Sequence, residues 1–269
     1  MTNGIDHIVI AVNDLEQAVA DYTAGGFRVT PGGDHKGGVS RNALVTFQDG
    51  AYLELIAFAP DTLLATHWRT TLAKGEGLVD YALRADDLDG IAWTLRDAGL
   101  HPSPPQEGSR YRPDGIRVDW EALRIGSGRG PVPLPSFVRD LTLRTFRVPG
   151  GEAAVHPNGV TGVAGVTVVV ADLERSSAEL RVVTGHDGET PPGSLDSVHR
   201  TRRFRVGSHW IELVEPGPGR SEQRAYLERR GQLPYEVALT TGDGRTERLP
   251  VFNPHGVRFR VAEAVAAPT

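Results

Sequence analysis

Ile5-Asp6-His7-Ile8-Val9-Ile10-Ala11-Val12-Asn13-Asp14-Leu15-Glu16 decides the fold, because the chain carries an echo of it. The echo is Val163-Ala164-Gly165-Val166-Thr167-Val168-Val169-Val170-Ala171-Asp172-Leu173-Glu174. Each stretch is an apolar run of the length of a buried strand, closing on Asp-Leu-Glu. The aspartate is expected to cap a helix, over Leu15–Tyr22 in one copy and Leu173–Val182 in the other. The offset, 174 − 16 = 158, recurs where Tyr52-Leu53-Glu54-Leu55-Ile56 answers Trp210-Ile211-Glu212-Leu213-Val214, since 212 − 54 = 158. Two separated matches at one offset make an internal repeat, and a repeat sets the architecture.

Inside the first half a weaker echo appears. Asp87-Leu88-Asp89 answers Asp14-Leu15-Glu16 at an offset of 73, with a strand expected over Leu78–Ala85 and a helix over Leu88–Ala98. The first unit then reads strand, helix and three strands: Phe27–Thr30, and a hairpin of Arg41–Gln48 with Tyr52–Phe58 turned at Asp49-Gly50. Pro31 to Gly38 reads as a flexible loop. Further strands are expected at Ile116–Ile125, Ser136–Asp140, Arg202–Val206, His209–Val214, Tyr235–Leu239 and Val257–Val261. Thr241-Gly242-Asp243-Gly244 leaves little room for a helix, so the fourth unit is expected to be abbreviated. The division is therefore residues 1–150 and residues 160–269, joined across Pro149–Gly159.

The 269 residues allow one large or two ordinary domains, and a net charge of −5 argues against a nucleic-acid partner. There is no cysteine, which excludes disulfides, thiolate chemistry and cysteine metal sites. The first strand begins by Ile5, leaving no room for a signal peptide, and no apolar run is long enough to span a bilayer. The expectation is a cytoplasmic protein without a membrane partner, a monomer or homodimer that binds a small molecule. Lysine occurs only at Lys36 and Lys74.

Four βαβββ modules, paired one-two and three-four into two cup-shaped half-barrels, give an α+β fold that resembles the vicinal-oxygen-chelate superfamily and its glyoxalase-like branch. The residues that carry the resemblance are Asp6-His7-Ile8-Val9, Gly33-x-His35 with Asn42-Ala43-Leu44-Val45, Tyr52-Leu53-Glu54-Leu55-Ile56, Leu134-Pro135-Ser136-Phe137, His156-Pro157-Asn158-Gly159 and His209 to Val214. The resemblance implies a cup that can hold a divalent metal (zinc, iron or manganese) on ligands from the first and fourth strands of paired units. It places His7 and Glu54 at two such positions. The residues themselves agree in part: both interrupt apolar strands, and a buried carboxylate needs a partner, which a histidine or a metal would supply. A hydrogen-bonded pair without metal meets the need equally.

In the second unit the offset of 73 puts Asp80 at the His7 position, as an oxygen ligand, and a one-residue slip puts Tyr81 there, as a hydrogen-bond donor to substrate. Where relatives carry a fourth-strand glutamate this chain has Val138-Arg139-Asp140. Arg139 cannot bind a cation but could grip a substrate carboxylate or phosphate. His35, in the glycine-rich stretch, is a candidate general base or further ligand, with Asn42 orienting substrate. In the second half Gly165 replaces His7, and Glu212 and Glu236 are left without a histidine, so that cup is expected to be degenerate. The glycine-rich stretch from Gly126 to Pro131 lacks a strand–helix setting and is no phosphate cradle. The arginines from Arg200 to Arg205 read as a solvated strand edge.

Two functions follow. One is an enzyme of lyase or isomerase type that acts on a small oxygen-bearing metabolite through an enolate-like intermediate, with Glu54 or His35 moving the proton. A dioxygenase fits less well, because only one histidine stands on a ligand position. The other is a metal-free, drug-sequestering type of binding protein whose pocket is lined by Tyr52, Tyr81 and Trp120.

Overall fold

The computed structural model describes residues 2–60, 67–126, 133–191, 199–242 and 254–262. In chain order the elements are β1 (Thr2–Ala11), α1 (Leu15–Ala24), β2 (Thr30–His35), β3 (Ser40–Thr46), β4 (Tyr52–Phe58), α2 (His67–Leu72), β5 (Gly77–Ala85), α3 (Leu88–Asp97), β6 (Gln106–Tyr111), β7 (Arg117–Leu123), β8 (Ser136–Asp140) and α4 (Arg144–Arg147). The second half has β9 (Val160–Val169), α5 (Leu173–Thr184), β10 (His199–Val206), β11 (His209–Pro216), α6 (Glu222–Arg230), β12 (Pro234–Thr241) and β13 (Arg258–Val261).

The three repeated aspartates cap their helices as expected. Asp14, Asp87 and Asp172 have extended backbones, and their side chains accept from the amides of Gln17, Gly90 and Arg175. This satisfies one of the orphan donors at each helix start.

Strands β1 to β8 close into one barrel in the order β1-β4-β3-β2-β6-β7-β8-β5. The second half forms an open sheet, β10-β11-β9-β12-β13. Strand β1 pairs parallel with β4, His7 beside Tyr52 and Val9 beside Glu54. Strand β9 pairs parallel with β11, Gly165 beside Trp210 and Thr167 beside Glu212. Each of these pairs repeats at 158, so the repeat holds to the register of the parallel pairs. The parallel pair β12–β13 answers β5–β8. Among the described residues nothing answers β6 and β7, which leaves this sheet open and the fourth module short.

The apolar runs are continuous because both strand faces are covered. Ile8, Ile10, Leu53, Leu55, Tyr81 and Leu83 on the outer face of the barrel belong to one buried cluster with Val166, Val168, Ile211, Leu213, Val237 and Leu239 of the second sheet. Each such side chain contributes about 1.5–3 kcal/mol, so this interface holds the two sheets back to back. Two buried histidines pin it. His209 Nδ1 accepts from the amide of Ile5, and His156 Nδ1 accepts from the amide of Arg28.

One expectation is corrected here. The second strand is Thr30–His35, shifted past Phe27–Thr30, so Gly33 and His35 lie on a strand and not in a flexible loop. Pairing with β3 on one side and β6 on the other supplies the ladder that the local composition does not suggest. The stretch 127–131 and the turn from Asp243 onward lie outside the described residues.

Candidate functional site

The barrel interior holds a cavity of about 320 Å³. Alternation along β1 and β4 sends His7, Tyr52, Glu54 and Ile56 inward while their neighbours enter the core. The His7 ring stacks on Tyr52 with centroids 4.9 Å apart. His7 Nε2 lies 3.7 Å from Glu54 Oε2, and Glu54 is 5% exposed. Asn42, on β3, donates from Nδ2 to Glu54 Oε1 at 2.7 Å. His35 reaches the same carboxylate from β2, with Nε2 3.8 Å from Oε1. The two histidines thus face the two oxygens of one glutamate.

The far nitrogen of each imidazole is tied. His7 Nδ1 bonds to Asp6 Oδ1 at 2.8 Å, and His35 Nδ1 to Ser40 Oγ at 3.0 Å. Burial lowers the His35 pKa below its usual value; Glu54 opposes this shift and Arg110 adds to it. His35 is therefore neutral near pH 7.

Asp6 is fully buried under the site. Arg147, from α4, donates to both of its oxygens at 2.8 and 2.9 Å, and Arg144 donates at 2.5 Å. Arg147 also donates to the Tyr52 hydroxyl at 2.8 Å and to Asp140. Burial would raise the Asp6 pKa, but Arg147, His7 and Arg144 together hold it well below the carboxylate range. Burial drives the Tyr52 hydroxyl well above its usual pKa, against the pull of Arg147. Two arginines and two aspartates make a closed, neutral cluster that fixes Asp6, and through it the His7 ring.

The remaining expected site residues fall elsewhere. Asp80 is tied to α2: its Oδ2 accepts from Trp68 Nε1 at 2.9 Å, and its Oδ1 accepts from the amide of Tyr81. Trp68, and not Asp80, lines the cavity. Tyr81 points to the core, where its hydroxyl donates to the Pro133 carbonyl, so it touches no cavity space. Arg139 turns away and pairs with Glu121. The register explains this. Val9 stands beside Glu54; 73 residues on, Ala82 stands beside Ser136. Ser136, and not Arg139, is the counterpart of Glu54, and it lines the cavity.

As a metal site the residues fit in kind more than in distance. Among the described residues no three His, Asp or Glu side chains form a ready site. An ion with bonds of about 2.1 Å needs neighbouring donors about 3.0–3.4 Å apart, closer than the two histidines stand to Glu54. The donor chemistry does fit: two imidazoles with their far nitrogens tied, and one carboxylate.

The second cup is built differently. A Cβ at Gly165 would lie 2.2 Å from the Trp210 ring, which occupies the space a histidine would take. Arg203 and Arg260 cover that ring at 4.4 and 4.9 Å, and they pair with Glu212 and Glu236.

Comparison with known proteins agrees with this architecture. Residues 5–184 match the model of the glyoxalase-like domain family. Among solved structures, a hypothetical protein from Staphylococcus aureus is similar at 13% identity and a TM-score of 0.72, over 96% of this chain and 98% of its own. A mutant of 4-hydroxymandelate synthase from Streptomyces coelicolor is similar at 14% identity and a TM-score of 0.55, over 90% of this chain and 72% of its own. No curated protein matches. No described helix is long and apolar enough to cross a membrane. The chain belongs to the glyoxalase-like domain family.

Proposed function

We propose that this glyoxalase-like protein is an enzyme of isomerase or lyase type that moves a proton on a small oxygen-bearing substrate held in the barrel cavity. The observation that carries this reading is the convergence of His7 and His35 on the two oxygens of Glu54, each imidazole fixed from behind. Glu54 is the base. It takes a proton from a carbon next to a carbonyl, and the C–H electron pair moves onto the carbonyl oxygen to give an enolate. The proton returns from the Glu54 carboxyl to the same carbon, or, where that carbon carries a hydroxyl, to the former carbonyl carbon, the hydroxyl proton passing to the enolate oxygen as the new C=O forms. Asn42 holds Glu54 in place through its 2.7 Å bond, and Tyr52 holds the face of His7. A divalent ion (zinc, iron or manganese) would be held by His7, His35 and Glu54, and would polarise the substrate carbonyl.

In this reading the first half works and the second is structural. What supports the division is the pairing of Glu212 and Glu236 with arginines over a cup filled by Trp210. The pairing of sheets across a buried apolar face gives the second half its task, closing the back of the barrel.

The test is exchange of carbon-bound protons in D2O, followed by NMR with a panel of small oxo and hydroxy acids and aldehydes. Glu54→Gln should cut exchange by about 10²–10⁴-fold. No exchange with any member, or exchange unaltered in the variant, refutes the proposal. Elemental analysis beside His7→Ala tests the metal: the wild type should carry near-stoichiometric ion and the variant little.

A further inference from the structure

We propose that Arg110 is the substrate anchor of this cavity, and that it selects a short-chain carboxylic acid bearing an oxo or hydroxy group close to its carboxylate. The inference deepens the proton-transfer reading and rests on it for the identity of the site. Arg110 lies on β6, directly opposite His35 on β2, so both side chains share the inner face of the barrel. It lines the cavity and is only 3% exposed.

Its partners mark it out. Of five guanidinium N–H donors, one goes to the Gly32 carbonyl and one to the Arg147 carbonyl. Carbonyls satisfy donors but bring no charge. Among the described residues no carboxylate forms an ion pair with Arg110. Arg147, equally buried and close by, has Asp6 and Asp140. Glu54 favours the charge of Arg110 from within the same cavity but forms no ion pair with it, and a buried guanidinium without a contacting anion is costly. Lys36 and Arg124 also line the cavity without a carboxylate partner among the described residues, while Glu54 and Glu107 are its acids. An incoming anion is what the charge balance lacks.

The kind of anion follows from geometry. A planar fork with free donors matches a carboxylate. Glu54 in the same cavity disfavours a dianion. Directly opposed residues on paired strands have Cβ atoms about 4.5–5.5 Å apart, and His35 in turn reaches Glu54. A carboxylate on Arg110 therefore places the next one or two carbons beside Glu54. The cavity, about 320 Å³, is at the small end for ligand sites.

The test is ligand-observed NMR titration of the full-length protein with pyruvate, glyoxylate, 2-hydroxybutyrate and acetoacetate, each against its neutral amide. At least one acid should bind about 10- to 100-fold more tightly than its amide, the range for a charge-assisted hydrogen bond. Arg110→Gln should abolish that preference and Arg110→Lys should restore part of it. No preference in any wild-type pair overturns the anchor, whether or not the variants fold. A preference that persists in Arg110→Gln, or inorganic phosphate that binds more tightly than every acid, also overturns it. Glu54→Gln should keep the preference. A wild type that prefers acids but exchanges no carbon-bound proton keeps the anchor and fails the proton-transfer reading alone.

Discussion

Replacing Asp6 by Asn tests whether the cluster beneath the cavity holds the site together. The carboxylate is inaccessible to solvent and accepts from His7, from Arg144 and twice from Arg147. Asparagine keeps the shape but removes the charge, and its NH₂ group meets a guanidinium. Asp140 would then face two arginines alone, one of them, Arg147, almost fully buried. Breaking a buried ion pair from one side costs about 3–5 kcal/mol. Because the remaining amide oxygen still accepts one or two bonds, the lower end, about 3 kcal/mol, is expected. Urea unfolding at pH 7 measures it as a shift in midpoint at constant slope.

The pH dependence supplies a second reading of the same group. The folded pKa of Asp6 is depressed, since the arginines and His7 outweigh its burial. Its contribution is therefore complete above the unfolded value of about 3.9 and is lost as pH falls through the folded value. The Asp6 contribution to the gap between wild type and Asp6→Asn should shrink only below about pH 4. A loss under about 1 kcal/mol at pH 7, or a gap that stays constant down to pH 3, would refute the reasoning. A double-mutant cycle with Arg147→Met should return a coupling above about 1 kcal/mol.

Two further outcomes concern the second half. Gly165→Ala should destabilise by about 1–3 kcal/mol, seen in urea unfolding, because the new methyl meets both the Trp210 ring and its carbonyl. His209→Phe should cost about 1–3 kcal/mol by leaving the Ile5 amide unpaired at the junction of the sheets, with hydrogen exchange at that amide rising in step.

What the sequence made legible was whatever recurs locally. The three Asp-Leu pairs marked helix starts, and the 158-residue offset marked strands whose pairing register repeats residue for residue. His7 and Glu54 were visible because each is a lone polar group in an apolar strand. His35 was visible as a candidate, but its setting was not: Pro31-Gly32-Gly33 looks like a loop, and only pairing with two distant strands makes it β2. Arg110 gave no signal, since Ser109-Arg110-Tyr111 lies in a half-exposed strand with a polar pattern. What sets it apart is that no carboxylate among the described residues forms an ion pair with it, and such a lack has no motif. Arg139, at the place where relatives carry a glutamate, turns instead to Glu121, because a short motif carries no register across β7 and β8. The pairing of Ala82 with Ser136 sets that register.

The two cups differ at two inward positions of one parallel strand pair. Their parallel pairs share one register, and His7, Tyr52 and Glu54 correspond at 158 to Gly165, Trp210 and Glu212. In the first, the imidazole of His7 stacks on Tyr52 and Glu54 faces the Nε2 atoms of His7 and His35 at 3.7 and 3.8 Å. In the second, loss of the side chain at Gly165 lets the larger indole of Trp210 settle over the strand itself. The indole takes the space beside Gly165, and the glutamates, half-buried, need cations. Arg203 and Arg260 serve them while stacking on the same indole. Glu236 keeps a raised pKa, from burial that Arg260 only partly offsets. One exchange, histidine with tyrosine for glycine with tryptophan, thus carries the acid from the wall of a cavity to a pairing with its own chain.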